Sequence, residues 1–326
     1  MIRTIDLRIL PRESMSWDEF VKKTPRGSIA LDGVVLGGPK YDEDTLHVNF
    51  DHHDGVAREA TMSTARQVMF AIKGNLMKSL FWQTGLAKIP VYVNDPDQDV
   101  ALSVWLLDRH KSLEGTQSIP IVNRLLELTD KLDITGGGYP MNLDDGLLST
   151  HNWIFAPYND LRKSGALASA NEAVICSTLE SMTGRIDQLV MGQAEKRELD
   201  TRHEILYDSP SGFKIVNEIG GSEARYFLFS QGLDAYISLV AIRPDNRNVW
   251  TVGRRSPYIP FPINELFGVY NALEGLPEGE GWGGSNIVGG SSRKHGSGLS
   301  WEQLAEATVG HLQKKYGKNL EPSISV

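Results

Sequence analysis

The stretch Phe50-Asp51-His52-His53-Asp54 constrains this chain more than any other. Leu46, Val48 and Phe50 alternate with polar residues just before it, so the run reads as a strand that ends at the acid. Imidazoles and carboxylates then stand together at the strand's C-terminal edge. Neutral imidazole and carboxylate oxygen are the donors that suit Mn, Fe, Zn or Mg. Adjacent histidines also occur in plain solvated turns. The reading therefore depends on which other acids the chain can bring to the same edge.

A chain of 326 residues has room for about two domains and an ample core. Its net charge of −8 leaves no broad basic surface for long nucleic acid, although a short nucleotide held locally is compatible. Cys176 is the only cysteine, which excludes an intrachain disulfide and any zinc site built from several thiolates. It reads as a small buried apolar residue. No apolar run approaches membrane length, and Asp6 and Arg8 stand where a signal peptide needs apolar residues. The expectation is a soluble, cytoplasmic protein without a membrane partner, with homo-oligomerisation left open.

Along the first half, an apolar strand over 28–36 is interrupted by Asp32-Gly33. Thr64 to Gln67 reads as a capping box, followed by Val68, Ile72, Leu76 and Leu80 on one helical face. A buried strand over 89–93 runs into Asp95, Asp97 and Asp99 and then a helix over 100–108. A helix over 121–131 ends near Asp130 and Asp133, before Gly136-Gly137-Gly138. In the second half, 213–216, 224–229, 235–242 and 248–252 read as strands, with a helix over 263–273 and a last helix capped by Ser300 with Gln303. The fold class expected is α/β: a parallel-sheet N-terminal domain over 1–160, a helical linker over 161–200, and a smaller mixed α/β C-terminal domain over 201–326.

Acids and histidines cluster at element ends: Asp32, Asp51-His52-His53, Asp97 with Asp99, and Asp130 with Asp133. In an open α/β sheet the crevice lies at the carboxyl ends of the strands, so residues from separate strands meet there. A pair of divalent ions needs a bridging carboxylate and several terminal ligands, and this set supplies them. Asp32 is the expected bridge, because it sits deepest in an apolar strand. The Asp95-x-Asp97-x-Asp99 run is not a calcium loop, since Val100 stands where Gly is needed and Leu106 where Glu is needed.

These motifs resemble the DHH phosphoesterase superfamily. Asp51-His52-His53 after an apolar strand is similar to its signature, and Asp97-Gln98-Asp99 leading into a helix is similar to its Asp-x-Asp motif. Met62-Ser63-Thr64-Ala65 resembles its Thr/Ser-rich stretch. Asp32, about twenty residues upstream of Asp51, stands where that family has a bridging aspartate, and Asp130 or Asp133 resembles its last acid. Gly289-Gly290-Ser291-Ser292-Arg293 resembles the Gly-Gly-His substrate loop of the associated C-terminal domain. The chain departs from the pattern in order and identity. Asp-x-Asp follows rather than precedes Asp51, Val93 stands where a ligand histidine is expected, and Ser291 replaces the C-terminal histidine.

The resemblance implies hydrolysis of a phosphodiester or phosphoanhydride in a small phosphorylated substrate, with manganese as the ion and Mg or Zn as alternatives. Asp32, Asp51, His52, Asp97, Asp99, Asp130 and Asp133 are the expected metal ligands. Asp51, His52 and His53 are the expected catalytic groups, one imidazole ligating and the other ligating, orienting or protonating the leaving group. Arg254, Arg255, Arg293, His295 and an anion nest at Gly289-Gly290 are the expected substrate contacts. Arg58 reads as a structural salt-bridge residue. Trp153, Phe155 and Tyr158, near His151, read as packed aromatics rather than a base-stacking platform. The competing reading is a non-catalytic nucleotide- or metal-binding regulatory protein, which Val93 and Ser291 favour. A zinc deaminase fits less well, because its ligand spacings and thiolates are absent.

Overall fold

The computed structural model describes residues 4–53, 55–277, 279–292 and 294–317. They form two compact units of mixed α/β structure, each with a mixed sheet. The first runs up to Ile134 and resumes over Asp145–Glu198; the second comprises Thr135–Asp144 and the chain from Leu199.

The first unit contains, in order, β1 (Ile5–Ile9), α1 (Trp17–Lys23), β2 (Ile29–Leu31), β3 (Lys40–Tyr41), β4 (Val48–Phe50), α2 (Arg58–Thr61), α3 (Thr64–Lys73), α4 (Leu76–Thr84), β5 (Ile89–Val93), α5 (Gln98–Asp108), α6 (Pro120–Ile134), α7 (Gly146–Lys163) and α8 (Glu172–Val190). Its sheet has the order β1-β5-β2-β4-β3. β1, β5, β2 and β4 are parallel, and β3 is an antiparallel edge. Ile29, Leu31, Ile89, Val91 and Val93 are fully buried, as suits parallel strands covered on both faces. The strand expected over 28–36 is only Ile29–Leu31, because the backbone turns left-handed at Asp32 and Gly33. Leu31 pairs with Phe50, so Asp32 and Asp51 leave the sheet side by side. β5 inserts between β1 and β2, which brings the segment after Val93 to the same edge.

α3 begins one residue earlier in its capping than the sequence suggests. Ser63 is the N-cap and accepts from the Arg66 N–H, which releases the Thr64 hydroxyl for other work. The helices expected as a linker are integral to the first unit. Ile175, Leu179, Met182, Ile186 and Leu189 of α8 share one core with β5 and α5.

The second unit contains β6 (Glu204–Asp208), β7 (Phe213–Asn217), α9 (Ser222–Ser230), β8 (Ala235–Ile242), β9 (Asn248–Arg254), α10 (Ile263–Glu274), β10 (Gly283–Gly284), β11 (Val288–Gly290) and α11 (Trp301–Tyr316). The sheet order is β10-β11-β9-β8-β7-β6, with β7 and β8 parallel. The strand expected over 224–229 is instead helix α9. Joining two neighbouring parallel strands requires a crossover, and a helix supplies it. Leu228 and Phe229 then pack on Val216, Leu233 and Tyr236. The last helix has the expected capping box of Ser300 with Gln303. Among the described residues, no helix is long and apolar enough to cross a membrane.

Candidate metal centre

Asp32 follows β2 in a left-handed conformation, φ 49°, which Asp tolerates better than most side chains. Its N–H donates to the Phe50 carbonyl at 2.9 Å, so it remains tied to β4. The next N–H, of Gly33, donates to Asp51 Oδ2 at 2.7 Å. The other Asp51 oxygen accepts from the His53 N–H at 2.7 Å and lies 3.2 Å from His53 Nδ1. Asp51 is therefore occupied with holding the turn and orienting His53. It stands in neither of the ligand groups described next.

His52 is fully buried. Its Nε2 lies 2.8 Å from Asp133 Oδ2 and 3.6 Å from Asp32 Oδ1. His53 Nδ1 lies 3.3 Å from the same Asp32 oxygen. Ligand-capable atoms of Asp32, His52 and His53 fall within 4.8 Å of one another, and so do those of His52, Asp99 and Asp133. The two groups adjoin because they share His52.

The N-terminus of α3 orients the acids. Thr64 and Ala65 N–H groups donate to the two Asp99 oxygens at 2.6 and 3.0 Å. The Thr64 hydroxyl donates to Asp32 Oδ1 at 2.9 Å. The Ser63 N–H donates to Asp130 Oδ1 at 2.8 Å, and Asp130 Oδ2 lies 3.9 Å from Arg66 Nε. Asp130 is thus turned to the helix terminus and joins neither group, whereas Asp133, one helical turn on, joins the second. Asp97 caps α5 by accepting from the Val100 N–H at 2.8 Å. It remains close enough to Asp32, Asp95, Asp99 and Asp133 to feel their charge.

The charges are crowded. Burial, followed by repulsion from Asp32 and other neighbouring acids, raises the Asp97 carboxyl well above its usual range. Burial and then Asp133 and Asp32 do the same to Asp99. For Asp32 burial acts upward, but His53, His52 and the Thr64 hydroxyl outweigh it and leave its carboxyl low. Burial disfavours charge on both imidazoles. Asp133 and Asp32 nevertheless raise His52, and Asp32 with Asp51 push His53 up to about 11. A set of oxygen and imidazole donors, buried but for His53 and the half-buried Asp133, with so many carboxylates close together fits a divalent cation.

The expected substrate contacts in the second unit are engaged within that unit. Arg254 donates to the Asn286 and Ile259 carbonyls, and Arg255 to those of Phe229 and Leu233. Gly289 and Gly290 lie in β11 between β9 and β10, so they form a ladder rather than an anion nest. A Cβ on Gly290 would meet the Trp250 carbonyl at 2.5 Å, so close strand approach explains the glycine. His295 is paired with Glu280 at 2.6 Å. Arg293, and Asp54 of the opening motif, lie outside the described residues. Ser291 Oγ accepts from the Trp250 N–H at 3.1 Å. Trp153 and Phe155 are core residues of α7, with Tyr158 packed beside them. Val93 is fully buried in β5.

Sequence reasoning missed the role of Thr64; Arg58 pairs with Asp133 at 3.8 Å, as its salt-bridge reading expects, and its Nη2 also lies 3.4 Å from His52 Nε2. The Thr64 signal was visible as a Ser-Thr pair opening a helix, but its partners lie 32 and 35 positions away. No family model matches the chain, and neither does any curated protein or solved structure.

Proposed function

We propose that the first unit holds a divalent-metal centre that hydrolyses a phosphodiester or phosphoanhydride bond in a small phosphorylated substrate. The observation that carries this reading is the convergence of two acid–imidazole groups on the buried His52. Asp32, His52 and His53 would hold one ion, and Asp99 and Asp133 offer carboxylate donors for a neighbouring position, with Asp97 beside them. Manganese suits this oxygen and imidazole set, with Mg and Zn as alternatives. When bound, such ions act as Lewis acids on a phosphoryl oxygen and make water a nucleophile near neutral pH.

The chain's own groups prepare that chemistry. Asp51 holds the His53 ring through the His53 N–H and Nδ1. Thr64 fixes Asp32 and Asp99, so the donors need little rearrangement to accept a cation. The resemblance to the DHH superfamily supports the same reading. Its reversed motif order is compatible, because β5 lies next to β2 and delivers Asp97 and Asp99 beside Asp32.

The test is manganese binding by calorimetry and metal analysis, together with phosphate release from bis(p-nitrophenyl) phosphate and pyrophosphate. The expected result is about two ions per chain, with turnover abolished by chelator and by Asp32→Asn. Full activity in excess chelator would sink the proposal. Manganese binding without release from any phosphate compound would favour the non-catalytic reading. Buried Val93 and the engaged Ser291 hydroxyl are the observations on its side.

A further inference from the structure

We propose that Arg58 is a substrate-binding residue of this centre, donating to the anionic oxygens of the phosphoryl group; this rests on the metal-centre reading above. Arg58 opens α2 and is only 8% exposed. Its Nη2 lies 3.4 Å from His52 Nε2 and donates to the Asp133 backbone carbonyl at 3.4 Å, a long contact. Asp133 Oδ1 lies 3.8 Å from Nη2, an ion pair too long to be a hydrogen bond. Nε is buried with no hydrogen-bond partner among the described residues.

A buried guanidinium is normally matched by a carboxylate at close range, and a bare buried donor is unfavourable. Arg58 has one long ion pair, to Asp133, and lacks a full set of hydrogen-bond partners. The incompletely partnered guanidinium stands beside the imidazole that both acid groups share, where a phosphoryl group would be handled. The planar fork of guanidinium donors matches phosphoryl oxygens at two points, which an ammonium cannot reproduce.

The experiment measures manganese binding and inorganic phosphate binding by calorimetry on wild-type protein, Arg58→Met and Arg58→Lys. Phosphate is titrated into the manganese-loaded protein. Manganese stoichiometry is expected to persist in both variants, with affinity within about threefold, since Arg58 offers no ligand atom to a cation. Phosphate affinity is expected to fall about 30-fold in Arg58→Met and about tenfold in Arg58→Lys, in line with loss of charge-assisted hydrogen bonds. Unchanged phosphate affinity with intact manganese binding would overturn the role of Arg58 and leave the metal reading standing. Loss of manganese from both variants, or failure of both to fold, would assign Arg58 to structure and overturn the proposal. If Arg58→Met alone fails to fold, the Lys variant decides. Absence of manganese binding in the wild type would overturn the metal reading and this inference with it.

Discussion

Thr64 donates through its hydroxyl to Asp32 and through its backbone to Asp99, so one residue orients two acids, one after β2 and one in α5. Thr64→Val keeps the shape and the backbone donor but removes the hydroxyl. Manganese affinity is expected to fall about tenfold, as for other groups that orient metal ligands, while Thr64→Ser stays near wild type. Equal affinities for all three proteins by calorimetry would show that Asp32 needs no such support. Residue types at this scale were largely legible: Asp32, His52, His53 and Asp99 do gather. The choice between Asp130 and Asp133 was not, because it turns on which carboxylate faces the Ser63 N–H. That contact spans 67 positions and leaves no local pattern.

Elements followed local chemistry where it was unambiguous. β5 and β8 occupy the ranges their apolar runs suggest, and α11 begins at its capping box. The segment 224–229 misled because its aromatic-rich apolar run mimics a strand, whereas its place between parallel neighbours demands a crossover helix. α7 carries a consequence for acid stability. His151 is buried in it against Phe155, with ring centroids 4.6 Å apart, and its Nε2 has no hydrogen-bond partner among the described residues. Burial pushes its pKa down to about 3 from 6.5. Between these values the unfolded chain binds a proton that the folded chain refuses, so stability falls as pH drops below about 6.5. The slope is at most about 1.4 kcal/mol per pH unit. Urea unfolding of wild type and His151→Leu at a series of pH values should show that component only in the wild type. Parallel curves would mean that His151 titrates normally in the folded state.

At the scale of the molecule, each unit has its own core. The candidate ligands come from the first unit alone. Hydrogen exchange with and without manganese should therefore show added protection over 30–34, 50–53, 62–68 and 97–101. Peptides from β8 and β9 should be unchanged. A uniform rise over both units would contradict a local centre. β5 reaches the sheet late in the sequence yet lies inside it, between β1 and β2. Until it slots in, Asp97 and Asp99 have no fixed relation to Asp32, and ions lack the Asp99 oxygens of the second group. Their influence would then fall after the main kinetic barrier: manganese would lengthen the lifetime of the native state and leave the refolding rate almost untouched.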